Sequence, residues 1–387
     1  MAKSTTLPRL PFEQPRLLSM PPLLRLLQAE RPITRVRTSG GEEAWLVTRY
    51  SEVRQLLGDE RLGRPRRAPD DAASHFSGLS DRYVPEMEDH AARRRLLQPF
   101  FSPKRMRALR GKVDALAGEL VSALAARTPP ADMHELVSQP LPLLVICELL
   151  GVPYDDRDQF RAWTGAIADM SDPSRSQAAM GSLIGYMSAL AKRKRGQPAD
   201  DVISGLCGGG DDDSVAFLSA VLLFAGHETS TLCIDLGTVL LLTNASQRQV
   251  MLDRPEAIEG AVEELLRASF TGGGGIRRYA LTDIDIGGVT IRDGDAVLLD
   301  LGAANQDERE FNDPGRLDIT CPRSPHLSFG YGARYCIGAP LARIELSAVF
   351  AHLVRRLPAM HLAVPVEELS VRAGLLTKGL AELPVTW

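Results

Sequence analysis

Closely spaced cysteines are missing from this sequence. The five it has, Cys147, Cys207, Cys233, Cys321 and Cys336, are widely scattered, with no Cys-x-x-Cys among them. That excludes a disulfide-stapled secreted scaffold and fits a reducing cytoplasm. A large charge excess of either sign is missing too. The formal net charge is -4 and the isoelectric point near 6.0, which gives no reason to expect nucleic-acid binding. The N-terminus carries Pro8, Pro11, Pro15, Pro21 and Pro22 among mixed charges, neither a signal peptide nor a membrane anchor. A soluble, cytoplasmic protein that engages neither nucleic acid nor membrane is expected. No linker divides the chain. What remains is 387 residues, 44% of them hydrophobic, enough to bury a large core and read here as one domain over 1–387.

Against that background one stretch stands out: Phe329-Gly330-Tyr331-Gly332-Ala333-Arg334-Tyr335-Cys336-Ile337-Gly338. Gly330, Gly332 and Gly338 permit a tight turn and close approach of another surface. Pro340 suits the first turn of a helix, so Cys336 lies just before a helix N-terminus, where a thiolate is favoured. Such a thiolate is a metal ligand or a nucleophile; a lone cysteine here would instead be a small buried turn residue. The run Phe-Gly-x-Gly-x-Arg-x-Cys-x-Gly resembles the ligand loop of the cytochrome P-450 family, the heme-thiolate monooxygenases. Further landmarks in the same order extend the resemblance over most of the chain. It implies that Cys336 ligates heme iron, that Phe329 shields the sulfur, and that Arg334 binds a heme propionate.

Before the loop, residues 1–32 read as an irregular lead-in with a helix near Leu23–Glu30. Trp45–Thr48 reads as a strand, and Ser51 as the N-cap of a helix through Leu57. From Gly63 to Glu88 the sequence is polar; alone this is a surface loop, and in the resembled family it covers the substrate. His90 and Arg94 are four apart on one helix face. Read alone, His90-Ala-Ala-Arg93-Arg94-Arg95 is a solvated basic patch; the resemblance puts His90 and Arg94 on the propionates, which suits arginine chemistry. Arg93, Arg95, Lys104, Arg105 and Arg107 then offer a dock for an acidic ferredoxin. Helices continue through Val113–Arg127, Pro142–Leu150, Arg157–Met170 and about Gln177–Arg195, with a substrate-covering lid implied within 157–195.

Ser214 to about Leu242 is apolar nearly all round, hence a membrane span or a buried helix. His227, Glu228, Thr229 and Asp235 in its middle argue for burial in protein. A glycine inside it costs roughly 1 kcal/mol, and a buried Glu needs a partner or a task. Thr229 alone reads as a residue bonded back to its own helix. By resemblance, Ala225 and Gly226 open a groove for dioxygen, and Thr229 with Glu228 manages protons there. Glu264 and Arg267 are three apart and can pair; the resemblance makes them a structural ionic triad with Arg316. Thr271-Gly272-Gly273-Gly274-Gly275 departs from the family and reads as a flexible loop or as room beside the heme. Arg278 matches a third propionate contact. Asp283–Ile286 and Val289–Ile291 form a strand pair turning at Gly287-Gly288. Gln306 and Leu317 replace the family's usual Arg and Phe. His326 reads as a further contact or a polar turn residue. Ala373–Lys378 resembles a C-terminal loop entering the pocket.

The resemblance implies a mainly helical fold with small sheets, a single triangular domain. Its cofactor is heme b, using O₂ and NAD(P)H-derived electrons delivered by a ferredoxin and its reductase. The substrate is an apolar small molecule. The implied pocket positions are Phe76, Tyr83, Met87, Leu222, Gly273, Gly274, Gly275, Ile276, Leu375 and Leu376. Hydroxylation is the default outcome, with phenol or C–C coupling as the rival on the same heme. A heme-thiolate sensor would not need Glu228 and Thr229, and a cysteine hydrolase lacks a base near Cys336. Arg and Ala richness points to actinobacterial secondary metabolism, antibiotic biosynthesis included.

Overall fold

The computed structural model describes residues 7–63, 88–169, 171–320, 325–372 and 379–387, without the side chains at 88, 89 and 154. The expected substrate cover with Phe76, Tyr83 and Met87, and the loop with Leu375 and Leu376, lie outside the described residues. The chain divides into two compact units, Met1–Gly78 with Glu263–Cys336, and Leu79–Val262 with Ile337–Trp387.

The first unit is built on a five-stranded sheet. Its strands run in the order Ile33–Arg37, Glu43–Val47, Ala296–Leu299, Ile276–Ala280 and Leu62–Gly63, all antiparallel except Glu43–Val47 beside Ala296–Leu299. Ala296–Leu299 is buried at every position, as a central strand covered on both faces requires. Val47, Val53, Leu56, Val297 and Leu299 form one apolar cluster with the helix Tyr50–Leu57. That helix starts one residue before the expected cap. Arg49 occupies the N-cap position without a side-chain bond, and the Ser51 hydroxyl donates to Glu52 at 2.5 Å instead. The expected hairpin forms from Ile284–Ile286 and Val289–Ile291. Its turn glycines Gly287 and Gly288 take φ 56° and 79°, the left-handed pair that a tight two-residue hairpin needs.

The second unit is helical, with a small three-stranded sheet of Ala131–Asp132, Pro384–Thr386 and His361–Leu362. The long helix, Asp212–Thr243, runs through its core. The Asp211 carboxylate caps it, accepting from the Ser214 N–H at 2.9 Å, and Asp212 and Asp213 add negative charge at the positive end. Its thirty-two residues reach about 48 Å at 1.5 Å each. By length and composition this helix could cross a membrane, yet most of its apolar stretch is buried in protein. It packs against the helices Pro140–Leu150, Pro173–Gly196 and Ala339–Arg356. Small residues set the spacing. A Cβ on Gly237 would stand 2.6 Å from Phe350 Cζ, and one on Gly226 would stand 3.1 Å from Ile146.

Candidate active site

In the first unit the cysteine loop is held by its backbone. The Cys336 N–H donates to the Phe329 carbonyl at 2.8 Å, Gly330 N–H to Leu327 at 2.8 Å, and Tyr335 N–H to Gly332 at 3.1 Å. Gly330 and Gly332 take φ 74° and 72°, where a side chain is strained. Gly332 also needs its bareness, because a Cβ would stand 3.3 Å from Gly58 Cα. Gly338 has φ -78° at the N-cap of Ala339–Arg356, so no left-handed requirement explains it. Beside the loop, Arg54 lies 4.3 Å over the Tyr331 ring and donates to its hydroxyl at 2.9 Å. The result is an exposed thiol on a pinned loop, whereas Cys147, Cys207 and Cys233 are buried. Burial pushes the Cys147 thiol up to about 12, which removes it as a thiolate donor.

Two cationic side chains belong to the same unit. Arg334 Nη1 donates to the Leu62 carbonyl at 3.1 Å, and burial lowers its pKa. Arg278 follows Arg277 on a strand, so the two point to opposite faces. Arg277 pairs with Glu42 at 3.0 Å, while Arg278 Nη1 donates to the Arg277 carbonyl at 2.8 Å. Partly desolvated guanidinium groups are strong binders of carboxylates. Glu264 and Arg267 pair as expected, through two bonds of 2.7 Å. The expected third member is corrected: Arg316 has an exposed side chain and offers only its carbonyl, 3.4 Å from Arg267 Nη2. Arg267 spends its other donor on the Asn305 and Pro314 carbonyls, both at 2.9 Å, so backbone dipoles complete the cluster where a second cation would have to be desolvated.

The glycine run has mainly local reasons. Gly272, Gly273 and Gly275 take positive φ, the Gly273 N–H donates to Asp300 at 2.8 Å, and a Cβ on Gly272 would meet Leu24 at 2.7 Å. Gly274 has open space where a Cβ would be. Ile276, next in line, is half-buried at the start of its strand.

In the second unit the long helix shows one accessible face. Leu218, Leu222, Ala225 and Thr229, spaced by four, three and four, are accessible while most of the helix is buried. Gly226 is half-buried at the edge of that face, and its missing side chain makes room for Ile146. The Thr229 hydroxyl donates to the Ala225 carbonyl at 2.8 Å, the back-bond that favours a local bend. Glu228 is 11% exposed; burial raises its carboxyl to about 7, against the lowering pull of Arg372 and His134. His90 and Arg94 sit four apart on the helix Glu88–Leu97, His90 exposed and Arg94 half-buried.

The cytochrome P450 family model matches residues 208–361. Pentalenolactone synthase of Streptomyces exfoliatus is 42% identical over 98% of this chain and 99% of its own. The chain belongs to the cytochrome P450 family. Mycinamicin IV hydroxylase/epoxidase of Micromonospora griseorubida is 40% identical, over 93% of this chain and 94% of that protein. The solved structure of CYP105P1 in complex with filipin I matches at TM-score 0.92, 36% identity and 99% of both chains. This P450 is thus a mainly helical oxidoreductase of the monooxygenase class, which uses heme, O₂ and reducing equivalents. The donor set fits that group: an exposed thiol on a loop fixed by its own backbone, and partly desolvated guanidinium groups for carboxylates.

Sequence alone gives several supporting residues no role, or leaves their role open. Asn305 is buried and orders the chain just ahead of the P450 cysteine loop. Its Oδ1 accepts from the Leu327 N–H at 2.7 Å and its Nδ2 donates to Ser328 at 2.8 Å. His326, its side chain 4% exposed, places Nε2 3.3 Å from Glu263 and its ring 5.8 Å from Phe329, a packing role beneath the loop. Glu345 is fully buried, with one oxygen lacking a partner among the described residues. His134 pairs with Asp235 at 2.7 Å, both buried. Acid identity inside an apolar run marks Asp235 and Glu345, and nothing comparable marks Asn305.

Proposed function

We propose that this P450 binds heme b through the Cys336 thiolate, with the heme carboxylates on His90, Arg94, Arg278 and Arg334. It then hydroxylates, or otherwise oxygenates, an apolar natural-product molecule of the antibiotic type. The whole chain, 1–387, acts as one cytoplasmic domain. Electrons come from NAD(P)H through a reductase and a ferredoxin. The carrying observation is an acid and an alcohol in succession on an otherwise buried helix, Thr229 at its accessible face and Glu228 next to it and 11% exposed. The relative that hydroxylates and epoxidises mycinamicin IV and a structural neighbour that is a polyene macrolide antibiotic epoxidase support the substrate class.

A thiolate-held heme, when bound, supplies oxygen activation, the sulfur's electron donation favouring O–O cleavage. This chain's own residues bind, orient and handle protons. Glu228, at about 7, both holds and releases a proton near neutrality, as a general acid should. Thr229 spends its hydroxyl proton on Ala225, which leaves its oxygen lone pairs to accept a bond at the open face. Leu218, Leu222 and Ala225 offer apolar contact to substrate on the same face, and Gly274 and Ile276 remain pocket candidates. Reduced, CO-treated protein is expected to show the absorption band that gave the family its name, and Cys336→Ala to lose it. Thr229→Ala is expected to keep that band while diverting electrons to peroxide; fully coupled turnover in that variant would refute the proton role.

A further inference from the structure

His227 stands beside the acid just assigned and plays no part in the reaction so far. It is 1% exposed and both ring nitrogens are engaged. Nε2 lies 3.2 Å from the Gln139 carbonyl and Nδ1 lies 3.1 Å from the Thr164 hydroxyl. A carbonyl only accepts, so the ring proton sits on Nε2 and Nδ1 presents a lone pair. Burial lowers the imidazole to about 4, with the Gln139 bond opposing and His134 and Arg161 adding to the fall. The ring is therefore neutral at physiological pH. Glu228 Oε1 lies 3.7 Å from that same Nδ1, which is neither an ion pair nor yet a hydrogen bond.

Two lone pairs facing each other at this range repel when Glu228 is ionised. When Glu228 is protonated, a small side-chain rotation lets its O–H donate to Nδ1. We propose that His227 is a positioning residue that keeps Glu228 loaded with a proton, by offering a buried lone pair that only the protonated carboxyl can use. Thr164 competes for that lone pair. Its single hydroxyl proton has two acceptors in reach, Nδ1 at 3.1 Å and the Arg161 carbonyl at 3.3 Å. The remaining groups acting on Glu228 are cationic. Arg372 and His134 both pull its pKa down. The Asp235 bond and charge overcome the burial of His134 and raise its pKa. Burial of Glu228 outweighs both cations, and the Nδ1 lone pair adds to it on the side of the protonated form. Protons thus have a place to wait at Glu228, and the relevance of that store rests on the oxygenase reading above.

Infrared titration of the holoprotein tests this without turnover. The carboxylic C=O band of Glu228 is assigned by its loss in Glu228→Gln, and its pH midpoint is then followed. In His227→Gln an amide can turn an N–H toward the carboxylate, and the midpoint should fall by about one pH unit, a tenfold loss of proton affinity. His227→Asn serves the same purpose should the first variant not fold. In Thr164→Val the lone pair is left wholly to Glu228, and the midpoint should rise. Opposite shifts support the proposal; unchanged midpoints, or shifts in one direction, overturn it. Product per electron consumed in Glu228→Gln is measured separately. Full coupling there would remove Glu228 from the reaction while leaving the His227 effect standing.

Discussion

At the scale of single residues, the long helix concentrates ionisable groups that a buried helix should avoid. Glu345, packed from the helix Ala339–Arg356, is fully enclosed; burial pushes its carboxyl up to about 8, with only a Ser230 hydrogen bond lowering it. The direction of its effect on stability follows from proton counting. Between the ordinary carboxyl range and about pH 8 the folded chain holds this proton and the unfolded chain does not, so stability falls as pH rises. Across that window the slope is roughly 1.4 kcal/mol per pH unit. Below it both states are protonated, and the term vanishes. Glu345→Gln mimics the protonated form, so its stability relative to the wild type should grow steadily from pH 5 to pH 8 in urea unfolding. Parallel curves for the two proteins would mean that Glu345 is ionised or hydrated in the folded state. His227 differs in kind: its burial favours the neutral ring, so its cost to stability appears on the acid side, as pH drops below the ordinary histidine range.

Whole elements were easier to read than their partners. Apolar length marked the long helix, expected from Ser214 to about Leu242 and found over Asp212–Thr243, because a run that is apolar all round has few other homes. Gly287-Gly288 marked the hairpin for a similar local reason. The Arg316 role failed because it depends on which of two groups on one residue, guanidinium or carbonyl, meets Arg267, and spacing cannot decide that. Gly226 was legible only in part: a helical glycine says that something comes close, and Ile146 is one such neighbour. Gly237 makes the same point from the other side. Its bareness admits Phe350, which is fully buried. Gly237→Ala should therefore destabilise by about 1–2 kcal/mol, overpacking outweighing the helix gain of roughly 1 kcal/mol. Combined with Phe350→Leu, the alanine should become neutral or favourable, giving a coupling energy of about 1 kcal/mol or more. Equal effects of the alanine in both backgrounds would show that the two helices adjust their spacing freely.

Across the whole molecule, a net charge of -4 hides local asymmetry, and the structure thins the basic patch that sequence alone offers. Of that patch Arg105 is tied to Asp200; farther along the same helix and outside the patch, Arg110 lies 3.7 Å from Glu259 and Lys112 pairs with Glu148. Lys104 and Arg107 are exposed, three apart on the helix Pro103–Ala125, and among the described residues form no ion pair. Exposed, uncompensated charge steers association far more than it sets affinity. An acidic ferredoxin should consequently depend on these two more than on the paired arginines. Reversing both, Lys104→Glu with Arg107→Glu, is expected to slow reduction by such a ferredoxin about tenfold at low salt. The deficit should shrink as the Debye length falls toward about 8 Å at physiological ionic strength, with the CO band of the reduced protein untouched. Reversal at Arg105 tests the logic from within, because it should disturb folding through Asp200 more than electron delivery. Equal reduction rates for the double variant and the wild type at low salt would move the electron-donor surface off this helix.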